Sequence, residues 1–274
     1  MLMSHQTYSE IGIYSFFYKD GKLVPDEKIY FPLLAGKSIF TGKTCLPGDD
    51  SGDNISLKNR YYSELTGIYW VWKNIRHNIV GSCHYRRFFT SRPEPLAYRL
   101  KRLFYYVAGL HRKRHGLIYT CCFNRFRERI LNENEIRGIL AEYDVILPQK
   151  RRLRYSVEKH YQRYHDGNDL LIVRKIIAAK HPGYLAAFEE TLQQKELYAN
   201  NMFVMKQDDF NCFMEWWFDI LFEFEKTVVL ENYKGYQQRI FGFMAERLLT
   251  VWFRKNKLTI KELPVIYFKR LKYE

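Results

Sequence analysis

The sharpest chemistry in this sequence stands at the end of a short apolar run. Ile79 to Cys83 reads as a strand that passes directly into His84-Tyr85-Arg86-Arg87. Two guanidiniums beside an imidazole and a phenol form a donor set suited to a diphosphate, because arginine bonds phosphate oxygens in a planar fork. The plainer alternative is that one of the arginines pairs a carboxylate at the sheet end. A polar cluster at the carboxyl end of a strand is also where open α/β sheets place their ligands.

Three other groups could do chemistry. Glu246 has Gly242, Phe243, Leu249, Thr250 and Phe253 around it at helical spacing. A carboxylate on such a face must be paired, protonated or functional. Arg247 is expected elsewhere on the helical wheel, so a buried ion pair with another residue and a catalytic role both stay open. His160, Tyr161, His165 and Asp169 form a looser polar group before and at the start of a helix, where Asp169 can simply favour the helix N-terminus. The histidines lie five apart rather than four, so no zinc helix is expected. Asp49, Asp50 and Asp53 make an acidic loop, but counting from Asp49 the sixth position is Asn54 and the twelfth is Arg60. A calcium loop needs Gly and Glu there. A structural turn and a ligand loop remain equal readings, and three carboxylates count against a nucleic-acid groove.

These groups need a scaffold, and length and composition bound it. The chain has 274 residues, 47% hydrophobic and 27% charged, which is globular composition for one large α/β domain or two small ones. The net charge of +14 points to anionic partners: nucleic acid, phosphorylated small molecules or an anionic membrane surface. Apolar stretches such as Leu103 to Leu110 are far shorter than the ~20 residues of a spanning helix. The opening MLMSHQTYSE has no signal-peptide character. Five cysteines without CxxC spacing read as reduced thiols of a cytosolic protein. No DxD, GxGxxG, GxxxxGK[ST] or GxSxG occurs, so metal–diphosphate, dinucleotide, P-loop and serine-hydrolase readings lack motif support.

Periodicity supplies the elements. Strands are expected at Ile11 to Phe17, Ile79 to Cys83, Val145 to Leu147, Met202 to Met205 and Leu263 to Phe268. Helices are expected near Tyr61 to Asn74, Asp169 to Lys180, Asp209 to Lys226 and Phe241 to Arg254. The third helix places Phe213, Trp217, Ile220 and Phe224 on one face. Strands alternating with helices predict an α/β fold with a mainly parallel sheet. Residues 91–129 read as an insertion: ten basic residues against Glu94 and Glu128 give it a net +8, interleaved with Leu103-Phe104-Tyr105-Tyr106-Val107 and Leu117-Ile118-Tyr119.

Seven runs then appear in order: DDSGDNIS (Asp49 to Ser56), ELTGIYWVWKN (Glu64 to Asn74), GSCHYRRFF (Gly81 to Phe89), DVILPQ (Asp144 to Gln149), NNMFVMK (Asn200 to Lys206), FGFMAERLLTVW (Phe241 to Trp252) and KELPV (Lys261 to Val265). Together they resemble a family of bacterial capsular and exopolysaccharide glycosyltransferases long catalogued as a domain of unknown function. That family includes β-1,3-galactofuranosyltransferases. Two features depart from it. The first strand here ends in SFFYKDG where the family has a Thr-His-Lys turn, and the basic stretch is not closely shared.

The resemblance implies a single domain over 1–274 with the A-type nucleotide-sugar fold, its central sheet flanked by helices. It implies transfer of a sugar, galactofuranose by preference, from a UDP-sugar to a lipid-linked oligosaccharide or polysaccharide acceptor. His84, Tyr85, Arg86 and Arg87 would hold the diphosphate with arginine in place of a metal, so no cofactor is expected; a divalent metal is the alternative, without a DxD motif to hold it. Asp50, Asp53 and Asn54 would bind donor hydroxyls or the nucleotide. Asn200, Asn201, His160 and His165 would meet the sugars. If the reaction inverts, Glu246 is the first candidate for the base and Asp169 the second; the sequence leaves inversion and retention both open. The expected location is the cytoplasm, at the inner face of the membrane, where the basic stretch meets anionic lipid. The rival reading is a non-catalytic RNA- or membrane-binding protein. The acidic loop and Glu246 favour the enzyme, with no nucleic-acid partner.

Overall fold

A computed structural model of the chain describes residues 9–21, 24–107 and 116–272. The early strands are β1 (Ile11–Phe17), β2 (Tyr30–Leu34), β3 (Ile79–His84) and β4 (Arg87–Phe89). Next come β5 (Leu117–Cys122), β6 (Val145–Pro148) and the two-residue pieces β7 (Arg151–Arg152) and β8 (Glu196–Leu197). Last are β9 (Phe203–Lys206), β10 (Ile260–Leu263) and β11 (Val265–Lys272). The first five helices are α1 (Asn59–Tyr62), α2 (Leu65–Asn74), α3 (Leu96–Val107), α4 (Phe123–Arg127) and α5 (Glu133–Glu142). They are followed by α6 (Val157–Tyr164), α7 (Asn168–Lys180), α8 (Leu185–Gln193), α9 (Gln207–Thr227) and α10 (Ile240–Asn256).

Among the described residues the central sheet runs β10-β6-β9-β3-β4-β11-β5, with β1 beside β3 and β2 beyond β1. β1 pairs in parallel with β2 and β3, β10 with β6, and β11 with β5. The antiparallel pairings belong to β9, between β3 and β6, and to β4, between β3 and β11. Apolar periodicity carries no strand direction, so the reversal at β9 was not readable beforehand. The sheet forks at His84, which pairs with Phe16 of β1 and with Arg87 of β4. That fork holds the His-Tyr-Arg-Arg turn at the carboxyl edge of β1 and β3.

All seven residues of β1 are buried, as expected of a strand covered on both faces. The two-residue period sends Tyr14 and Phe16 into one core and Ile11 and Ile13 into the other. The first core is built from α2 and α6 to α10, the second from α4, α5 and the β4–β11–β5 side. Phe213, Trp217, Ile220 and Phe224 of α9 are buried as the pattern required, joined by Trp216, Phe218 and Leu221.

Two breaks matter for the site. The helix expected from Tyr61 to Asn74 is interrupted at Ser63, whose φ of 53° is left-handed, and the break separates α1 from α2 at Glu64. The closing strand is split at Pro264, which has no N–H to donate, so β10 joins β6 while β11 joins β4 and β5. The basic segment is tied to the sheet through β5. On α3, Leu96, Leu100, Leu103, Phe104 and Val107 are all exposed. Arg112, Lys113 and Arg114 lie outside the described residues.

Candidate active site

A cleft of about 540 Å³ opens where β1 and β3 end and β9 begins. Among the described residues four arginines line it: Arg87 at the start of β4, Arg151 in β7, Arg239 just before α10, and Arg247 within α10. Against them stand two carboxylates, Glu64 and Glu246. The cationic excess, surrounded by protein rather than bulk water, favours a dianionic ligand more than the same charges would on an open surface.

Glu246 faces this cleft with its Oε1 accepting the backbone N–H of Asn200 at 2.7 Å. Contrary to the wheel argument, Arg247 is a neighbour: its Nη1 donates to Glu246 Oε2 at 3.3 Å and to Phe243 O at 2.8 Å. The guanidinium curls back along α10, which brings adjacent side chains together. Arg247 is only 3% exposed; burial works against its charge and Glu246 supports it. Its plane lies 5.1 Å from the Tyr161 ring. Among the described residues, the Nε atoms of Arg87 and Arg247 are buried without a hydrogen-bond partner.

The three histidines of the cleft are held neutral. Burial, then the charges of Arg87, Arg86 and Arg239, keep His84 well below the usual histidine range. Its Nδ1 accepts the Arg86 N–H at 3.2 Å, so the ring proton sits on Nε2 and can be donated. His160 is lowered to about 4 by burial and by Arg247, Arg151 and His165. His165 is likewise lowered by burial, and its Nδ1 meets Gln237 Oε1 at 2.8 Å.

The other sequence-derived candidates divide. Asn200 lines the cleft, while Asn201 is buried behind it, its Nδ2 donating to Glu64 Oε1 at 2.9 Å. Within the donor cluster Arg87 turns inward and Arg86 does not. Arg86 Nη1 donates to Lys269 O at 2.9 Å, and its guanidinium lies 4.9 Å from the Tyr85 ring. Tyr85 packs at 5.2 Å against Phe17, away from the cleft lining. Asp169 is buried in the floor of a neighbouring groove. Tyr161 and Tyr233 donate to it at 2.8 and 2.6 Å, and burial raises its pKa against those bonds.

Asp50, Asp53 and Asn54 are not brought to the cleft. Their loop is organised by Asp49, fully buried, which accepts from the backbones of Gly36 and Lys37 and from Ser56 Oγ. Asp53 accepts from Tyr69 OH at 3.0 Å, and Asn54 bonds Gly52 O and Ser56 N. Sequence reasoning missed Glu64, Arg151 and Arg239. The one available signal was the Glu at the head of ELTGIYWVWKN, and only the Ser63 break turns it into the cleft.

The fold and the basic cleft at the strand ends define an α/β protein of the A-type nucleotide-sugar glycosyltransferase architecture. The apo structure of the bifunctional glycosyltransferase WbbM matches it with a TM-score of 0.83 at 30% identity, over 96% of this chain and 46% of that one. The chain thus spans less than half the length of that enzyme. The family described as Domain of unknown function (DUF4422) matches residues 12–257, and the chain belongs to it. No curated protein sequence matches it.

Proposed function

We propose that this protein is a glycosyltransferase that moves a sugar from a UDP-sugar donor to a surface-polysaccharide or lipid-linked oligosaccharide acceptor. Galactofuranose is favoured as the sugar through the family resemblance. The observation that carries the reading is one cleft holding an arginine excess and a directed carboxylate, Glu246, at the carboxyl edge of β1 and β3. The solved enzyme of like fold is named a glycosyltransferase, which supports it.

In this mechanism Glu246 accepts the proton of the acceptor hydroxyl as its oxygen bonds the anomeric carbon. The bond from that carbon to the diphosphate breaks, and UDP leaves with the electron pair. Arg87, with Arg239 or Arg151, stabilises the departing charge, and neutral His84 adds a hydrogen bond. Holding both reactants in line removes much of the entropic barrier. Arginine supplies the neutralisation that a DxD-bound metal would give. Attachment at the inner face of the membrane fits the apolar stripe of α3 within a basic segment.

A thermal-shift screen of UDP-sugars, with and without EDTA, followed by assay of UDP release, tests the proposal. Stabilisation by at least one UDP-sugar that persists in EDTA is expected. Stabilisation by none of them would overturn the function.

A further inference from the structure

Beside the arginine-lined cleft lies a second groove of about 570 Å³, and the two share Tyr164, His165 and Gln237. Gln237 forms the partition, bonding His165 with its Oε1 and donating its Nε2 to Tyr164 O at 2.8 Å. One stretch, residues 228–239, contributes to the walls of both.

The two spaces differ in charge. The cleft sets four arginines against two glutamates, whereas the groove balances Arg163 and Lys234 with Asp166 and Asp169. At the rim of the cleft, Tyr164 is 54% exposed and Tyr236 is 66% exposed. Each is backed by another ring: Tyr164 by His160 at 4.9 Å and Tyr236 by Phe243 at 5.1 Å. A single exposed tyrosine needs no explanation. Two of them on the cleft wall, each braced by a neighbouring ring and Tyr164 lining both cavities, form a prepared surface.

A neutral glycan needs what this junction supplies. The C–H face of a sugar ring packs on a flat aromatic ring, and its hydroxyls seek a balanced set of donors and acceptors. An excess of either charge would instead select an ion.

We infer that the groove is the acceptor-glycan subsite. The sugar bearing the attacking hydroxyl rests between Tyr164 and Tyr236, and the preceding sugars continue past Gln237 towards Asn168 and Asn232. This inference rests on the transferase reading of the cleft. It adds that the enzyme recognises an extended, uncharged saccharide through contacts remote from the reacting atoms. Such contacts supply binding energy that orients the acceptor.

Binding of the UDP-saturated protein to immobilised neutral hexose oligosaccharides of increasing length tests it. Retention should rise with length. Tyr164→Ala should reduce it about two- to tenfold, the scale of one aromatic contact, while Tyr164→Trp should restore it. The double variant Asn168→Ala/Asn232→Ala should lose the length preference while UDP affinity by calorimetry stays within about twofold, since neither side chain lines the cleft. Retention of no oligosaccharide by the wild type, or a length preference that survives in the double variant, would overturn the subsite. Glycan retention without any UDP binding would support the groove and sink the donor reading instead.

Discussion

The backbone N–H of Asn200 and Glu246 Oε1 lie 2.7 Å apart, joining the loop before β9 to the middle of α10. Asn200 and Asn201 both have positive φ, 79° and 48°, a conformation asparagine tolerates better than most residues. The turn then reaches both cleft carboxylates. Asn200 fixes one oxygen of Glu246, and Asn201 fixes Glu64 while its carbonyl accepts from Ser82 of β3. Arg239 closes the arrangement from the other side, with Nη2 3.2 Å from Glu64 Oε2. Glu246 is therefore set by a backbone N–H of this turn, and Glu64 by the side chains of Asn201 and Arg239.

Glu246→Gln should stay folded and bind UDP-sugar, since the amide oxygen still accepts from Asn200. It should lose about 10²–10⁴-fold in transfer, the usual contribution of a general base. Asp169→Asn should show the other pattern, a lower melting temperature, because a buried acceptor of two phenol hydrogen bonds is disturbed at about 1.5–3 kcal/mol each. Parallel melting curves and turnover rates separate the two. A Glu246→Gln protein that melts early but transfers normally per folded molecule would return Glu246 to a structural role.

Asp49→Ala should destabilise the fold far more than Asp50→Ala. Removing the Asp49 carboxylate strands two backbone N–H groups and a buried hydroxyl, at about 1–3 kcal/mol for each group left unsatisfied. Asp50 is exposed, and its replacement should fall within about 0.5 kcal/mol of wild type. Urea titration of the two variants reads the difference directly. Equal midpoints would contradict the structural role of Asp49.

Acid should weaken the fold through the cleft histidines. His160 titrates at about 4 when folded but near 6.5 when unfolded, and His84 is also lowered. Between those values the unfolded chain holds more protons, so this contribution is complete above about pH 6.5 and is lost as pH falls towards about 4. The melting temperature should decline across that window, and His160→Gln should flatten the decline. An unchanged slope in that variant would show that His160 is not held neutral.

Co-sedimentation with vesicles should require anionic lipid and weaken with salt, each basic residue near the surface adding about 1 kcal/mol. Leu100→Ser with Leu103→Ser removes two exposed apolar residues of α3 and should release the protein, as should replacement of Arg112, Lys113 and Arg114 by Ser. Equal binding to neutral vesicles, or none to either kind, would refute the membrane role and leave the transferase reading standing.

Much of the scaffold was readable because period and burial agree in this chain. β1, α9 and α10 follow from apolar spacing alone, and Glu246 stood out as a carboxylate on an otherwise apolar face. What stayed hidden depended on long-range geometry. Arg151 and Arg239 lie in polar stretches without periodicity, and nothing local shows that they meet Arg87. Glu64 enters the cleft through the left-handed turn at Ser63, a residue type that does not announce such a turn. Asp50, Asp53 and Asn54 drew notice by charge, yet their loop is organised around Asp49, whose burial only the tertiary structure reveals. Within His-Tyr-Arg-Arg, Arg86 sits in the turn between β3 and β4 and bonds Lys269, while Arg87 opens β4 and lines the cleft.

The central claim, a diphosphate held by arginine in this cleft, is tested most directly by calorimetric titration of UDP in EDTA against the wild type and Arg87→Ala. The account predicts saturable one-to-one binding in the chelator, weakened by about 1.5–3 kcal/mol, or about 10- to 150-fold, in the variant. Binding that vanishes on chelation, or that Arg87→Ala leaves untouched, would contradict it.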